Sequence, residues 1–339
     1  MMKKSFGKLP TGETAHIYTI SGGGLTARIT NFGATLVSLY VPDKKGNVDD
    51  VVLGYGSAKE YLKKPGYLGS TIGRNSNRVA GSAFMLNGEE VKLEKNEGEN
   101  NLHSGDNSYC FRLWNVENVE EDKIRFCLQS PHGDQGFPGN AIVWVEYALL
   151  SQGVLQITYD GVCDQDTVMN LTNHSYFNLA GHQNPELAMG MVLSMPARHY
   201  AFSNAESIPT GEERPVEGTP MDFREPKVIG RDIEEDFESL KLQNGYDHNF
   251  EVYCNPCATL HDPVSGRTMT VHTDCPGIQF YSGNFLEGQT GKDGVKYTRR
   301  GGIALETQFY PNSVNNPAWK QPFVKAGERY HSCTKYIFR

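Results

Sequence analysis

The sequence predicts an all-β fold of antiparallel sheet, and three observations carry that prediction. Thirty-six glycines and an aromatic share of 11% accompany apolar runs that are short and repeatedly interrupted, which suits many strands joined by turns rather than long helices. In the middle of the chain Val143, Val145 and Tyr147 alternate with Trp144, Glu146 and Ala148, so a strand there presents one apolar face for burial. No internal repeat, low-complexity tract or Pro/Ser-rich linker divides residues 1–339, and one domain is expected, since all-β domains often exceed ~200 residues.

Strands are expected at 15–20 and 25–29, flanking the turn SGGG at 21–24, and at 35–41, which runs into the turn cluster PDKKGN at 42–47. A short strand follows at 51–53. The run SAKEYLKK at 57–64 reads as the first helical turn, stopped by Pro65. Strands then follow at 124–129, 142–150 and 154–159, rich in β-branched and aromatic residues. The acidic stretch DIEEDFE at 232–238 reads as a solvated helical turn.

A chain of this size can bury a substantial core without disulfides or metals. Its seven cysteines are odd in number and irregularly spaced, and the N-terminus shows charge without an apolar h-region, so free thiols in a reducing cytoplasm are expected. The net charge of −8 offers no basic surface for nucleic acid, and no stretch approaches the ~20 apolar residues of a membrane span. The expected partner is therefore a small neutral or weakly charged molecule.

Cys254 and Cys257, with His261 nearby, form half of a zinc pattern, but no second ligand pair follows at a finger-like spacing and Cys275 stands alone. SGGG lacks the Lys-Ser/Thr of a phosphate loop. No metal or cofactor is expected.

Two segments hold an acid and a base. In GIALETQFYP (302–311), an extended backbone turns Ala304, Glu306 and Gln308 one way and Ile303, Leu305 and Thr307 the other, leaving a carboxylate between a small residue and an amide. From spacing alone an exposed strand glutamate accounts for Glu306 equally well. In NLTNHSYFNLAG (170–181), the same alternation groups Asn170, Thr172, His174 and Tyr176 on one unusually polar face. Imidazole is the side chain best suited to exchange a proton near neutrality, although a lone histidine is more often a core residue. His103, in NNLHSG (100–105), falls on a predicted loop.

These segments, collinear with GRNSNRVAG (73–81), PTG (209–211), GTPMDF (218–223), GYDHNF (245–250) and GIQFYSGNFL (277–286), resemble the aldose 1-epimerases, also called galactose mutarotases. The resemblance covers nearly the whole chain. It weakens around Asp106 to Trp114, near Cys254, and at Asn312 and Ser313, where an acidic residue with a small one is more usual.

The resemblance implies a single large twisted antiparallel β-sandwich, the galactose mutarotase-like supersandwich, with a sugar cleft on the concave face of one sheet. It implies interconversion of the α and β anomers of hexoses such as galactose and glucose without a cofactor; monomer and homodimer both stay open. Glu306 is then the base, His174 the acid, and His103 an aid to ring-oxygen protonation and binding. Asn77 and Arg78 match a sugar-contacting pair, with the guanidinium fork holding two hydroxyls; Asp247 and Gln279 match further sugar contacts. Tyr246, Phe280 and Tyr281 could provide a platform for the sugar's C–H face. General acid–base catalysis needs both pKa values near neutrality, and the expected acid limb of the pH profile belongs to Glu306, the alkaline limb to His174.

Two alternatives stay open at this stage. A hexose-6-phosphate epimerase of the same fold would need a basic phosphate pocket, for which Arg74, Arg78, Arg299 and Arg300 are the candidates; a non-catalytic carbohydrate-binding protein would have no use for a paired acid and base.

Overall fold

The alternating segments assemble into three main sheets in the computed structural model, which describes residues 2–63 and 66–339. The N-terminal sheet is a five-stranded meander of Met2–Lys8, Thr14–Gly22, Leu25–Thr30, Thr35–Pro42 and Val48–Asp50. Its second hairpin turns at Gly23 and Gly24, both at positive φ. A Cβ at Gly23 would also strike the Leu150 carbonyl, so glycine is required there twice over.

The largest sheet has nine strands, in the order Asn115–Val119, Lys123–Ser130, Ala141–Leu150, Val154–Cys163, Arg329–Phe338, Thr268–Thr273, Ala258–His261, Val192–Ser194 and Lys227–Val228. Adjacent strands run antiparallel. The predicted alternation holds here: Val143, Val145 and Tyr147 are fully buried while Trp144 and Glu146 are half-buried. Trp144 donates its indole N–H to Glu117 at 2.9 Å, satisfying the polar end of a ring that lies on the outer face.

A six-stranded antiparallel sheet carries the residues of greatest interest: Tyr176–Phe177, Ile303–Gln308, Gly277–Tyr281, Asp247–Glu251, His199–Ser203 and Pro209–Pro215. One apolar cluster joins all three sheets, taking Ile29 and Leu36 from the first, Val145 and Tyr336 from the second, and Leu305 and Phe280 from the third. The third sheet is fixed to the second by Tyr336, whose hydroxyl donates to the Leu305 carbonyl at 3.2 Å.

Two expectations need correction, and a third lies partly outside the described residues. Residues 51–53 are not a strand: the first sheet ends with Val48–Asp50, and the following segment crosses between sheets, with the Val51 N–H bonded to the Leu39 carbonyl and the Leu53 N–H to that of Tyr176. The early helix is Ala58–Lys63, and its expected stop at Pro65 lies outside the described residues. The acidic stretch is a turn with Glu234, Glu235, Asp236 and Glu238 exposed as expected, but it is not helical and not solvated throughout. Asp232 is buried and bound by Lys227 and Arg231, Glu234 pairs with Arg300, and the helix begins only at Glu238.

All seven cysteines are free thiols, five of them buried. No helix among the described residues is long and apolar enough to cross a membrane.

Candidate active site

The period of the sheet decides which side chains reach the cleft. Ile303 and Leu305 enter the shared core, so Ala304, Glu306 and Gln308 are turned to the opposite face. Register then sets Gln279 opposite Glu306 and Asn249 opposite Gln279, while Tyr281 lies between Ala304 and Asp247. A single sheet face thus gathers two carboxyls and three amides.

A cavity of about 220 Å³ opens over this face, lined by Tyr67, Asn77, Arg78, Glu97, His103, His174, Tyr176, Asp247, Tyr281, Phe285 and Glu306 among others. It is smaller than the ~300–1,000 Å³ of drug-sized sites and suits one monosaccharide. A larger cavity, about 690 Å³, lies elsewhere among Asp222, Arg224, Lys227 and Asp232. Its cations are spent on carboxylates, Arg224 on Asp222 and both Lys227 and Arg231 on Asp232, and no histidine among the described residues lines it.

His174 approaches Glu306 with its Nε2 3.6 Å from Oε1, and both side chains are almost wholly buried. This is ion-pair distance but beyond a good hydrogen bond. Burial dominates both titrations in opposite senses. It lowers His174 to about 4, and it raises Glu306 well above the ordinary carboxylate value, with the nearby Asp247 carboxylate adding to the rise and Arg78 opposing it. The expectation of two pKa values near neutrality is therefore corrected: between these two values the pair holds one proton, preferentially on the carboxyl.

The segment around His174 also departs from a simple strand. Thr172–Asn173 pairs with Thr71–Ile72, whereas Tyr176–Phe177 joins the six-stranded sheet, and His174 sits at the crossover. Its backbone is tied on both sides, N–H to Ser70 and C=O to the Gly69 N–H. His174 and Tyr176 both reach the cavity, with rings stacked 4.9 Å apart, but Asn170 and Thr172 do not line it. Asn170 instead accepts the Phe309 N–H through its side chain.

His103 follows the short strand Asn101–Leu102 in a left-handed conformation, φ 51°, and Asn77 has φ 59°. The two are locked reciprocally: the Asn77 N–H donates to His103 Nδ1 at 3.1 Å, and the His103 N–H donates to the Asn77 carbonyl at 3.0 Å. With Nδ1 accepting, the proton of the neutral ring sits on Nε2 as a donor. Burial, with His174 and Arg78 adding, holds His103 well below its ordinary value and so in that neutral form.

Two sequence assignments change in kind. The Arg78 fork does not stand open for two hydroxyls, because Glu97 occupies it with bonds of 2.6 Å at Nε and 2.9 Å at Nη2. Arg78 still lines the cavity beside Asp247. Gln279 does not line it; its Nε2 donates to Asp247 Oδ1 at 2.7 Å, so it holds the aspartate from behind. Asn312, where the family resemblance weakens, anchors the Arg78 loop by donating its N–H to the Arg78 carbonyl and accepting the Ala80 N–H.

Of the suggested aromatic platform only Tyr281 reaches the cavity, while Tyr246 and Phe280 stack on each other in the core. Sequence reading missed Tyr67, whose ring meets His103 at 4.7 Å and His174 at 5.8 Å, and also Glu97 and Phe285. Phe285 could have been noticed as an aromatic in a Gly-Asn turn. Glu97 carried no local signal, since it comes to Arg78 only through tertiary folding.

Among the described residues no three His, Cys, Asp or Glu side chains gather as a metal-holding group. The Cys257 thiol bonds to the Val271 carbonyl and His261 to Thr268, both local to the nine-stranded sheet.

Comparison with known proteins adds relatives along the whole length. The family model described as Aldose 1-epimerase matches residues 16–336. The galactose mutarotase of Sus scrofa is 41% identical, over 98% of this chain and 97% of that protein. The aldose 1-epimerase of Escherichia coli (strain K12) is 35% identical, over 100% and 99%. Among solved structures, a GalM/aldose epimerase homologue from C. elegans superimposes with TM-score 0.89 at 29% identity, covering 96% of this chain and 99% of that one. With these matches spanning fold and cleft alike, the chain belongs to the aldose 1-epimerase family.

Proposed function

We propose that the protein interconverts the α and β anomers of free hexoses, galactose and glucose foremost, by acid–base ring opening. The observation that carries this reading is the buried Glu306–His174 pair, 3.6 Å apart, in a cleft of monosaccharide size. In the reacting form of the pair the shared proton lies on His174 and Glu306 is ionised; Glu306 then takes the proton of the C1 hydroxyl, His174 gives its own to the ring oxygen, and the C1–O5 bond breaks to leave an open-chain aldehyde. Rotation about C1–C2 presents the other face. On reclosure both protons return, so the pair ends with the single proton it started with.

The remaining lining residues hold the sugar. Arg78, Asn77 and the Nε2–H of His103 offer donors, and Asp247 accepts from hydroxyls while Gln279 fixes its orientation. Galactose as one of these hexoses takes support from the galactose mutarotases among the relatives. One sugar molecule is the partner, and the net charge of −8 disfavours nucleic acid. The chain is read as one domain, cytoplasmic, monomeric or dimeric; the apolar cluster shared by three sheets supports the first of these.

The phosphate-sugar alternative loses its basic pocket. Arg74 is fully buried among carbonyls and hydroxyls, Arg300 is bound to Glu234 and Asn244, and Arg299 donates to Asn244 outside the cavity. Among the described residues Arg78 is the one Lys or Arg side chain that lines the cleft, and Glu97 neutralises it. The test is coupled oxidation of the β-anomer starting from fresh α-galactose, α-glucose and α-glucose 6-phosphate. Acceleration with the free sugars is expected; acceleration confined to the phosphate ester, or absent with all three, overturns the proposal.

A further inference from the structure

Beneath the sugar cleft a polar row joins Glu306 and Gln279 to Asn249 and Gln308, two residues with no part in the scheme above. Twelve buried side-chain polar atoms among the described residues lack a hydrogen-bond partner, and six of them share one face of three neighbouring strands: both amide atoms of Asn249 and of Gln308, Oε1 of Gln279 and Oε2 of Glu306. Such a concentration is not random scatter. Asn249, Gln279 and Glu306 stand in one cross-strand row, and Gln308 is the next residue on that face of its strand, opposite Gly277.

Gly277 explains how the amides come together. A Cβ at this position would collide with Asn249 Oδ1 and with the Tyr310 ring, so the missing side chain is the space into which the Asn249 amide leans, towards Gln308. Asn249 is 2% exposed and Gln308 0%, hence bulk solvent does not satisfy them. Leaving amides and carboxylate oxygens unpaired in such a place costs far more than bonding them. Two of the six atoms, on Gln279 and Glu306, can only accept when Glu306 is ionised, so what serves the whole row must donate and accept in several directions. Water does that.

We infer that Asn249 and Gln308 form an enclosed water-binding site that backs the cleft, and that its water donates to Glu306 and Gln279, making Asn249 and Gln308 positioning residues for the reaction. The inference rests on the proposed role of Glu306. Water held there stabilises the ionised carboxylate needed to accept the C1 hydroxyl proton, and it steadies Gln279, which in turn holds Asp247. The row thus sets how readily Glu306 ionises without touching the sugar.

The test pairs crystallography of the parent with kinetics of Asn249→Leu/Gln308→Met, apolar replacements of similar size. Ordered water within hydrogen-bond distance of Asn249, Gln308 and the carboxyl of Glu306 is expected; direct pairing of the two amides without water overturns the inference even if the variant fails to fold. In the folded double variant kcat should fall on the order of tenfold, about the loss of one hydrogen bond to a charged group. KM for the sugar should change little, and the alkaline limb should move upward as the ionised carboxylate loses its donor. Asn249→Ser, which keeps a hydroxyl and room for water, should recover most of the rate. Parental kcat and pH profile in the folded double variant overturn the inference. If instead the parent itself fails to anomerise sugars, it is the proposed function that falls, while the crystallographic result still stands or fails on its own.

Discussion

At the residue scale the two histidines are alike in burial and unlike in tethering. His103 has its Nδ1 bound by the Asn77 N–H and can only present a fixed donor, whereas His174 Nδ1 has no partner and its Nε2 faces Glu306. His174→Asn should therefore lower kcat chiefly, because proton delivery occurs only in the transition state, and His103→Asn should raise KM with a smaller loss of kcat. Steady-state constants for both decide it; a His103 variant worse in kcat, with KM unchanged, would assign the acid to the other ring. The pH profile follows from the directions of the two shifts. His174 is lowered to about 4 and Glu306 is raised, so the one-proton pair exists between those two values. Below about pH 4 both groups are protonated and the base is lost; above the raised Glu306 value both are deprotonated and the acid is lost. In kcat/KM the acid limb thus belongs to His174 and the alkaline limb to Glu306, the reverse of the sequence expectation. An acid limb near the ordinary histidine value would contradict this.

At the scale of elements, the strand Ile303–Gln308 was legible because its alternation is strict: apolar residues face the core and Glu306 faces the cleft. The segment at 170–177 was less so. Every residue in it is buried, so alternation carries no information about which side faces a ligand, and the chain changes sheets in its middle. Motif resemblance found Asn77, Arg78, Asp247 and Gln279, but it could not show that Gln279 supports the aspartate from below or that Glu97 fills the Arg78 fork. Those are pairings between distant loops and strands, invisible to local pattern. The Arg78–Glu97 pair gives a test at this scale. Glu97→Gln should free the guanidinium and raise KM by a factor of ~2–5, modest because the glutamate is 37% exposed and such pairs contribute about 0.5–1 kcal/mol. An unchanged KM in steady-state measurements would mean that Arg78 is placed by its loop and Asn312 alone.

For the whole molecule, three sheets share one core, and Arg267, 1% exposed, binds the carbonyls of Val41, Asn47 and Leu179 and the Asp49 carboxylate, tying the first sheet to the second. Calorimetry should therefore show one cooperative transition; two separated transitions would divide the chain. The cleft has a cost to that stability. Glu306 is raised in the folded state, so its contribution is fully present below the ordinary carboxylate value and is lost as pH rises towards the folded value. A glutamine cannot ionise, and the melting temperature of Glu306→Gln relative to the parent should rise as pH is raised above the ordinary carboxylate value.

The same variant gives the most direct test of the central claim, that Glu306 and His174 open the sugar ring as base and acid. Anomer exchange of galactose, followed by polarimetry or magnetisation transfer with parent and Glu306→Gln side by side, should show kcat reduced on the order of 10²–10⁴-fold with little change in sugar affinity. A folded Glu306→Gln protein that equilibrates the anomers within a few-fold of the parental rate would contradict the account.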